Sequence, residues 1–395
     1  MMIKQIIKLR NTQYAIRDTN SKGAALLVVL FVIMAITILS LGFLSRSDVE
    51  LACGGNIILH TQMDYSAESG LEHAKGLILN PQDVSSEYWT GVEDQQLVGG
   101  SDDYYDVEVV RDDPNYCNYV IDCNAYRLKG GEKVGGSNLT AELRLNPCIA
   151  YWTGGVTTIF TNFTINGDVY CNNNLSITGT INGDAFAAGA VGAGGTVTGK
   201  RNSFVSSPPV NPPGLLYSDF SSQYYYDGSG PYSVQTLDAN YTSTFPGPGT
   251  NNPACVYYRD GDLELSGNIT IVGTLVVKQD LILKSNCNLT VTSVKNFPAL
   301  IVGNDVTMEA ANQSLTIYGL AQISNSIDMK NKTGCSINVM GALYITGSSL
   351  LNLVAGTVNI TALHDRASIE TWPTVDTAVR WTPTAGAFFR SIQRK

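Results

Sequence analysis

The chain is acidic and carries few charges for its length. Of its 395 residues only 15% are charged, and the formal net charge is −9. Residues 1–22 hold five Lys or Arg against a single Asp, so the remainder carries about −13. An acidic body without a basic run argues against nucleic-acid binding, and we expect no nucleic-acid partner. The length predicts one membrane element with one or two folded units, and the abundant Gly and Tyr favour strands and turns.

The first predicted element is an apolar segment behind a basic leader, residues 1–23. Between Gly23 and Ser45 there is no charged residue, and as a helix this stretch would span roughly 35 Å. The Lys and Arg residues before it and the acidic residues after it place the N-terminus in the cytoplasm. We therefore predict a single transmembrane pass from Ala24 to Leu44, with the C-terminal part exported.

Two other classes of exported protein share part of this pattern. A secretory signal peptide also has a basic start and an apolar core, but this apolar run is longer than usual and no small-residue cleavage site directly follows it. A lipoprotein would need a lipobox before Cys53, where Glu50 occupies the position of the expected Leu. Both alternatives are less favoured than a permanent anchor.

The helical pattern continues beyond the apolar segment. Small and apolar residues recur at steps of three and four from Val49 to Ile78, which predicts one face of an amphipathic helix. Pro81 is expected to end this helix, so the transmembrane and amphipathic segment, residues 24–80, would be roughly 85 Å long. The pair Gly54–Gly55 is a predicted weak point or kink.

The motif YSAESGLEHAKGLI, from Tyr65 to Ile78, follows the basic leader, the Lys-Gly pair and the apolar stretch. Over residues 20–80 this arrangement resembles the N-terminal domain of PilX-type minor pilins. The resemblance implies cleavage by a prepilin peptidase between Gly23 and Ala24, and methylation of the new Ala24 amine. It also implies a bacterial inner-membrane protein whose C-terminal domain lies in the periplasm or on a surface filament. The implied partners are other pilins or pseudopilins, the inner-membrane assembly platform, the peptidase and membrane lipid.

Val28 departs from the pattern of most major pilins. Those proteins carry a Glu at the fifth mature position, where it pairs with the N-terminal amine of a neighbouring subunit. A carboxylate in lipid is costly unless it is paired, so a subunit with Val28 lacks a strong registration contact. The large pseudopilin at the tip of type II secretion filaments also lacks this Glu, so the resemblance implies a minor, tip-located or low-copy subunit. A plain single-pass anchor without a filament role is the alternative.

Residues 81–150 are predicted to form a small antiparallel β region. Stretches with period-two alternation occur at 104–110, 119–128 and 139–145, and a GGEKVGG turn separates the last two. Behind the long helix, this sheet would complete a pilin-like α+β unit.

A second β unit is predicted over residues 151–365. The pentapeptide TINGD occurs at 164–168 and again at 180–184. Apolar-flanked aspartates follow at Asp262, Asp280, Asp305 and Asp328. Such periods favour a right-handed β-solenoid, with a β-sandwich as the alternative. The predicted fold class is therefore mainly β with a long N-terminal α-helix.

Two irregular segments accompany the predicted solenoid. Residues 199–258 hold eight of the 14 prolines and are predicted to be an insertion or long crossing loop without regular elements. Residues 366–395 are predicted to be a tail or cap over the open end of the solenoid. The aromatic residues assigned to this cap are Trp372, Trp381, Phe388 and Phe389.

No stretch of the chain matches a catalytic, cofactor or metal-binding motif. The three histidines, His60, His73 and His364, are scattered along the sequence. We expect the recurring aspartates to bond backbone amides at solenoid corners rather than to catalyse polysaccharide cleavage. The acidic stretch 102–113 is a candidate calcium site, although such clusters are more often solvated loops.

The eight cysteines follow no metal-ligand spacing. An even number in an exported chain is compatible with disulfides, and Cys117 with Cys123 is the favoured local pair. Free buried thiols are the alternative.

The function that these patterns favour is non-enzymatic. We expect a minor pilin or pseudopilin-like structural subunit of a type IV pilus or type II secretion-like filament, whose β-domain serves assembly, adhesion or cargo contact. Surface polysaccharide is a further candidate partner. The alternatives are a membrane-tethered β-helix polysaccharide lyase or hydrolase, and a membrane-anchored adhesin outside a pilus system.

Overall fold

The computed structural model describes residues 3–81, 88–112, 117–214, 217, 221–226, 231–294, 297–351, 353, 355–369 and 381–394, with side chains from residue 23 onward apart from Leu351. Within these residues the chain is mainly β, with one long N-terminal helix and several sheets. At that level of detail the predicted fold class is confirmed.

Helix α1 (Ile3–Leu79) extends further toward the N-terminus than predicted. Residues 3–22 contain neither Pro nor Gly, so nothing in the leader stops the helix, and the pair Gly54–Gly55 does not interrupt it. The predicted end is confirmed. Pro81 has no N–H to continue the helix, and before it the Asn80 N–H and side-chain amide both donate to the Gly76 carbonyl at 3.1 Å.

The surroundings of α1 change along its length. Val49, at the N-terminal end of the predicted amphipathic face, is 60% exposed. The C-terminal part of the predicted face is confirmed, since its apolar residues at steps of three and four are at most 1% exposed. These residues are Met63, Ala67, Leu71, Ala74 and Ile78.

The C-terminal part of α1 packs on an antiparallel sheet. Its first four strands are β1 (Gly91–Gln96), β2 (Asp103–Arg111), β3 (Asn118–Lys129) and β4 (Glu132–Leu145). The strands predicted in this region lie inside β2, β3 and β4, and the pairing is antiparallel as predicted. Gly130 and Gly131 form the turn between β3 and β4 with positive φ, which glycine adopts at little cost. Alternate residues of β3, such as Ile121 and Cys123, are fully buried.

Short strands make up most of the chain after Leu145. The first group is β5 (Ile149–Thr153), β6 (Thr157–Ile159), β7 (Phe163–Asn166), β8 (Asp168–Cys171), β9 (Leu175–Ile177), β10 (Thr180–Asn182), β11 (Ala185–Ala187), β12 (Thr196–Val197) and β13 (Arg201–Asn202). The second is β14 (Tyr224–Tyr226), β15 (Pro231–Ser233), β16 (Gln235–Thr236), β17 (Asn240–Thr242), β18 (Val256–Arg259), β19 (Leu263–Ser266), β20 (Asn268–Val272), β21 (Thr274–Val277) and β22 (Leu281–Leu283). The third is β23 (Asn288–Thr292), β24 (Leu300–Val302), β25 (Val306–Met308), β26 (Ser314–Ile323), β27 (Ile327–Asp328), β28 (Ser336–Ile345), β29 (Leu350–Leu351), β30 (Thr357–Ala362), the short helix α2 (His364–Ala367) and β31 (Ala387–Arg394).

Strands β5 to β30, apart from the β14–β15 hairpin, pair in parallel between chain segments, and we call this region the stack. The two TINGD copies lie side by side in register, with Ile181 opposite Ile165. The order of segments differs from chain order, because β7 pairs with both β10 and β30. Residues 149–202 therefore extend the end of the stack that residues 336–362 form.

Residues 199–258 carry the chain from one end of the stack to the other. The longest path of paired strands begins at β12 and ends at β16, so the connection between them crosses the whole path. A crossing segment was predicted here. The predicted absence of regular elements is wrong, because β14 to β17 form between the prolines.

The C-terminus does not cap the stack as predicted. Strand β31 pairs with β4 and completes the five-stranded antiparallel sheet, with Phe389 opposite Leu143 and Ile392 opposite Ala141. Backbone pairing along an open strand edge explains this placement better than a cap, since β4 would otherwise keep unpaired N–H and C=O groups. Trp381 does pack on the stack, 5.2 Å from the Tyr344 ring. The predicted cap residue Trp372 lies outside the described residues.

Candidate functional site: an apolar helix and a polar sheet face

The part of α1 from Leu26 to Leu44 is an exposed apolar surface. From Leu26 to Leu44 every large hydrophobic side chain is at least 50% exposed, Val28 among them. The Thr37 hydroxyl donates to the Ile33 carbonyl at 2.7 Å, so this polar group is satisfied within the helix. The helix from Gly23 is long and apolar enough to cross a membrane, a property that membrane anchors and signal sequences share.

The predicted processing residues lie at the N-terminal edge of this surface. Gly23 and Ala24 are both within α1 and exposed, and a Cβ added at Gly23 would meet nothing within 4 Å. Cleavage between them stays a prediction.

The motif at Tyr65 to Ile78 positions α1 on the antiparallel sheet. A Cβ at Gly70 would collide with the Cys123 Sγ and lie 3.0 Å from the Tyr105 ring, so only glycine permits this approach. The Tyr105 hydroxyl lies 3.0 Å from His73 Nδ1. The part of the sequence that carries the pilin resemblance thus forms the contact between helix and sheet.

Polar contacts also join α1 to the sheet, at helix residues that precede Gly70. The Ser137 hydroxyl donates to Asp64 Oδ1 at 2.6 Å, and Arg394 on the C-terminal strand pairs with the same carboxylate. The Arg127 guanidinium donates to Gln62 at 3.0 Å. The helix, the predicted strands and the chain end therefore form one packed unit.

Two of the predicted corner aspartates of the stack bond to the backbone of the next segment. Asp262 Oδ1 accepts the Asp280 N–H, and Asp280 Oδ1 accepts the Asp305 N–H, both at 3.1 Å. Asp328 bonds a backbone amide as predicted, since its carboxylate accepts the Lys330 N–H of its own segment at 2.8 Å. It does not continue this column, because the register places Ser326 beside Asp305. The Ser326 hydroxyl donates to the Asp305 carboxylate.

The aspartates of the two TINGD copies form a second column. Asp168 accepts the N–H groups of Cys148 at 2.8 Å and Asp184 at 2.7 Å, and Asp184 accepts the Lys200 N–H at 2.6 Å. Arg144 lies 3.7 Å from both carboxylates. Burial raises the pKa of Asp168 to about 6, although the hydrogen bonds and Arg144 lower it. Sequence spacing identified both aspartates, whereas the Arg144 contact had no sequence signal.

One side of the stack is a broad sheet surface, which we call the polar face. It consists of up to three outward-pointing residues on each of eight neighbouring strands, in the order β12, β10, β7, β30, β28, β26, β23 and β20. These outward series begin at Thr196, Thr180, Thr164, Thr357, Ser336, Ser314, Asn288 and Asn268. All the outward residues are Thr, Asn or Ser except Val272, Tyr318 and Met340, and none is charged. This face was not predicted from the sequence.

The outward residues of the polar face are aligned across the strands. A central row runs through Thr196, Thr180, Thr164, Asn359, Asn338, Thr316, Thr290 and Thr270. Neighbouring strands are about 4.8 Å apart, so this row is about 34 Å long. The Asn side chains bond to one another, for example Asn182 to Asn166 at 2.8 Å and Asn288 to Asn268 at 2.8 Å. The face is thus an ordered, uncharged array of hydroxyl, methyl and amide groups.

The other predicted candidate residues do not come together. Among the described residues no group of three or more His, Cys, Asp or Glu could hold a metal ion. In the candidate calcium stretch Asp103 pairs with Arg127 at 2.6 Å and Asp106 lies 3.6 Å from Lys133, while Asp113 is outside the described residues. The three histidines contact separate partners.

The predicted disulfide between Cys117 and Cys123 is not present. All eight cysteines are free thiols. Cys123 lies beneath α1 at Gly70, whereas the Cys117 thiol contacts the Cys148 thiol. The register of β3 explains the error, since residues six apart on an extended strand are about 20 Å apart.

Comparisons with known proteins find weak structural likenesses. No family model matches the chain, and no curated protein matches it. An ice-binding protein from the Antarctic ascomycete Antarctomyces psychrotrophicus is 16% identical, with 55% of this chain and 95% of that chain covered and a TM-score of 0.33. An ice-binding protein domain from Shewanella frigidimarina is 10% identical, with the same coverage and a TM-score of 0.29. The competence-associated pilin ComZ from Thermus thermophilus is 13% identical, with 85% of this chain and 97% of that chain covered and a TM-score of 0.22.

These likenesses are too low to assign a fold or a function to the chain. A pilin and two ice-binding proteins are among its weak structural neighbours, and the resemblance to PilX-type pilins in particular gains no support from the family models.

Proposed function

We propose that the chain is a non-enzymatic minor pilin or pseudopilin-like subunit that displays a β-domain on a membrane-anchored helix. The observation that supports this proposal is the division of α1, which is apolar and exposed from Leu26 to Leu44 and packed on a sheet from Met63 to Ile78. An exposed apolar helix surface needs lipid or the apolar helices of other subunits to cover it.

We further propose the type, the processing, the location, the partners and the fold of this subunit. The subunit is of the PilX type, a prepilin peptidase cuts it between Gly23 and Ala24, and the new amine is methylated. It resides in a bacterial inner membrane or a surface filament, with other pilins or pseudopilins, the assembly platform and lipid as partners. The stack is a β-solenoid, which the in-register parallel pairing of the TINGD copies supports.

Mass spectrometry of the N-terminus tests the pilin assignment. The full chain would be produced in a bacterium that contains a prepilin peptidase and purified from its membranes. We expect a methylated N-terminus at Ala24. A Gly23→Val variant should stay uncut because the cleaved bond is changed, whereas the matched control Gly42→Val should be processed. An intact Met1, or an N-terminus elsewhere, would refute the assignment.

The polar face favours ice as the surface that the displayed domain binds. Threonine side chains are stiff at χ1 and the Asn side chains are held by hydrogen bonds, so the array loses little freedom on binding. A repeating and uncharged array suits a ligand that is itself repeating and neutral. An ice surface has these properties, and charged side chains that would keep their own hydration are absent from the face.

A matched pair of lysine substitutions tests this role. The full chain, held in lipid nanodiscs, would be partitioned between water and slowly growing ice. Thr316→Lys, in the central row, should lower the fraction in ice at least about tenfold, because a lost array contact and a desolvated charge cost more than about 1.4 kcal/mol. Thr307→Lys, on β25 of the six-stranded sheet, should leave it unchanged. Equal partition of the two variants would contradict an ice-binding polar face. Replacing ice with an insoluble neutral polysaccharide tests the predicted polysaccharide partner with the same pair.

An assay with polysaccharides tests the non-enzymatic part of the proposal. Asp262 is exposed and its carboxylate accepts a backbone N–H, a role that needs no catalysis. The purified full chain should not cleave pectin-like or other uronate polymers. Cleavage of such a polymer that is lost in the Asp262→Asn variant would contradict the non-enzymatic role. It would favour the membrane-tethered polysaccharide lyase or hydrolase.

A further inference from the structure

Two buried thiols meet where the antiparallel sheet joins the stack. Cys117 directly precedes β3, and Cys148 lies between β4 and β5. They are 3% and 0% exposed, and the Cys117 thiol is within hydrogen-bond contact of the Cys148 thiol. The Leu145 N–H donates to the Cys117 carbonyl at 2.9 Å, so backbone pairing holds the two ends of the β3–β4 hairpin together.

The other cysteines offer no comparable pair in the described part of the chain. Cys123 faces α1 on the far side of a 20 Å stretch of strand, beyond the reach of a disulfide with Cys117. The thiols of Cys171 and Cys335 each donate to a backbone carbonyl at 3.2 Å. Contact between two thiols is therefore a particular property of Cys117 and Cys148.

We propose that Cys117 and Cys148 form a disulfide in the exported protein, through exchange with a thiol–disulfide oxidoreductase in its oxidised form. One thiol attacks the disulfide of the oxidant, and the second thiol then resolves the mixed disulfide. The new S–S bond replaces the S–S bond of the oxidant. The two electrons and two protons that the cysteines lose appear as the two thiols of the reduced oxidant.

The exchange takes place before the sheet closes over the two residues. The contact with Cys148 and burial raise the pKa of the Cys117 thiol in the folded protein, so the reactive thiolate is scarce there. An oxidant also has no access to side chains that are 3% and 0% exposed. The hairpin register then brings the sulfur atoms together as folding proceeds.

The disulfide has a mechanical consequence, which rests on the proposed filament role. A pull between the anchored helix and the displayed stack is carried along the chain through residues 117–148. With the bond in place the load passes directly from Cys117 to Cys148 and then into β5. Strands β3 and β4, on which α1 packs, cannot then be pulled out of the sheet from their ends.

Peptide mapping without reductant tests the bond. The full chain, exported and purified in detergent, would be unfolded with an alkylating reagent present and digested with trypsin and a protease that cleaves before Asp122. That cut separates Cys117 from Cys123. We expect a linked pair of peptides that contain Cys117 and Cys148, with the other six cysteines alkylated. Alkylation of both residues, or a link to another cysteine, would overturn the proposal.

Force extension of single molecules gives a second readout. Reduction should lengthen the unfolded full chain by roughly 100 Å, the extended length of the 31 steps between the two cysteines. A Cys117→Ser variant should show the longer length without reductant. The matched control Cys171→Ser, another buried thiol, should keep the shorter one. Equal lengths before and after reduction would contradict the bond.

The same digest reports the N-terminal peptide. An uncut N-terminus with the Cys117–Cys148 link would refute the filament role alone, and a processed N-terminus without the link would refute the disulfide alone.

Discussion

Asp168 links three parts of the molecule through one carboxylate. It accepts the backbone N–H of Cys148, where the antiparallel sheet ends, and that of Asp184, one segment further into the stack. Arg144 of β4 lies 3.7 Å away. A residue that joins the sheet to the stack while it is almost fully buried should make the stability of the protein depend on pH.

The Asp168→Asn variant tests this dependence. The pKa of Asp168 is about 6 in the folded protein and near 3.9 in an unfolded chain. Between these values the folded state binds more protons, so this group makes the free energy of unfolding fall as the pH rises from about 4 to about 6. The fall over this interval is about 2 kcal/mol. Urea unfolding at both pH values should show the loss in the wild type relative to Asp168→Asn.

Asp184→Asn is the matched control for this experiment. Asp184 occupies the same place in the second TINGD copy, and its substitution leaves Asp168 in position. This variant should keep most of the pH dependence of the wild type, because the Asp184 charge makes only a small contribution to the raised pKa of Asp168. An equal pH dependence in wild type and Asp168→Asn would show that Asp168 does not titrate in this range.

Sequence spacing predicted the role of most corner aspartates but could not fix each register. Asp262 and Asp280 accept a backbone N–H of the next segment as expected, whereas Asp305 accepts the Ser326 hydroxyl. Asp328 has similar apolar neighbours and a similar spacing, yet Ser326 takes the corner. A hydroxyl and a carboxylate can both bond to a turn, so the residue type alone does not distinguish the two positions.

At the scale of elements, the contact between α1 and the sheet depends on one glycine. Gly70→Ala should lower the free energy of unfolding by about 1–3 kcal/mol, because its Cβ would collide with Cys123 and crowd the Tyr105 ring. Chemical denaturation monitored by circular dichroism measures this change.

Gly76→Ala is the control on the same helix. A Cβ added at Gly76 would meet nothing within 4 Å, so alanine should raise the free energy of unfolding by about 0.5–1 kcal/mol through its helix propensity. If both variants were stabilised alike, the close approach of helix and sheet at Gly70 would be wrong.

The strands could be predicted from the sequence, but their order could not. Alternating apolar residues mark β2, β3 and β4, and the TINGD copies mark β7 and β10. That β7 lies beside β30 follows from no local pattern, because the strands of the stack share the same alternation and any two of them could pair. The polar face was missed for the same reason, since it exists only once distant segments are adjacent.

At the scale of the whole molecule, the two chain ends have opposite roles. The N-terminal helix leaves the fold as an exposed apolar surface, while β31 returns to pair with β4 and its Arg394 reaches Asp64 on α1. The unit that carries the stack is thus closed by backbone pairing of residues that are about 250 apart in sequence. Its stability should not depend on the apolar part of α1.

Two N-terminal truncations test that independence. Removal of residues 1–45 should leave the midpoint of thermal unfolding within about 2 °C of the full chain, because none of the residues from 23 to 45 is buried. Removal of residues 1–80 also takes away Met63, Ala67, Leu71, Ala74 and Ile78, each at most 1% exposed, and uncovers the sheet. Since burial of a large apolar side chain contributes about 1.5–3 kcal/mol, this truncation should unfold or aggregate. A shorter truncation as unstable as the longer one would mean that the apolar segment stabilises the fold and is not free to serve as an anchor.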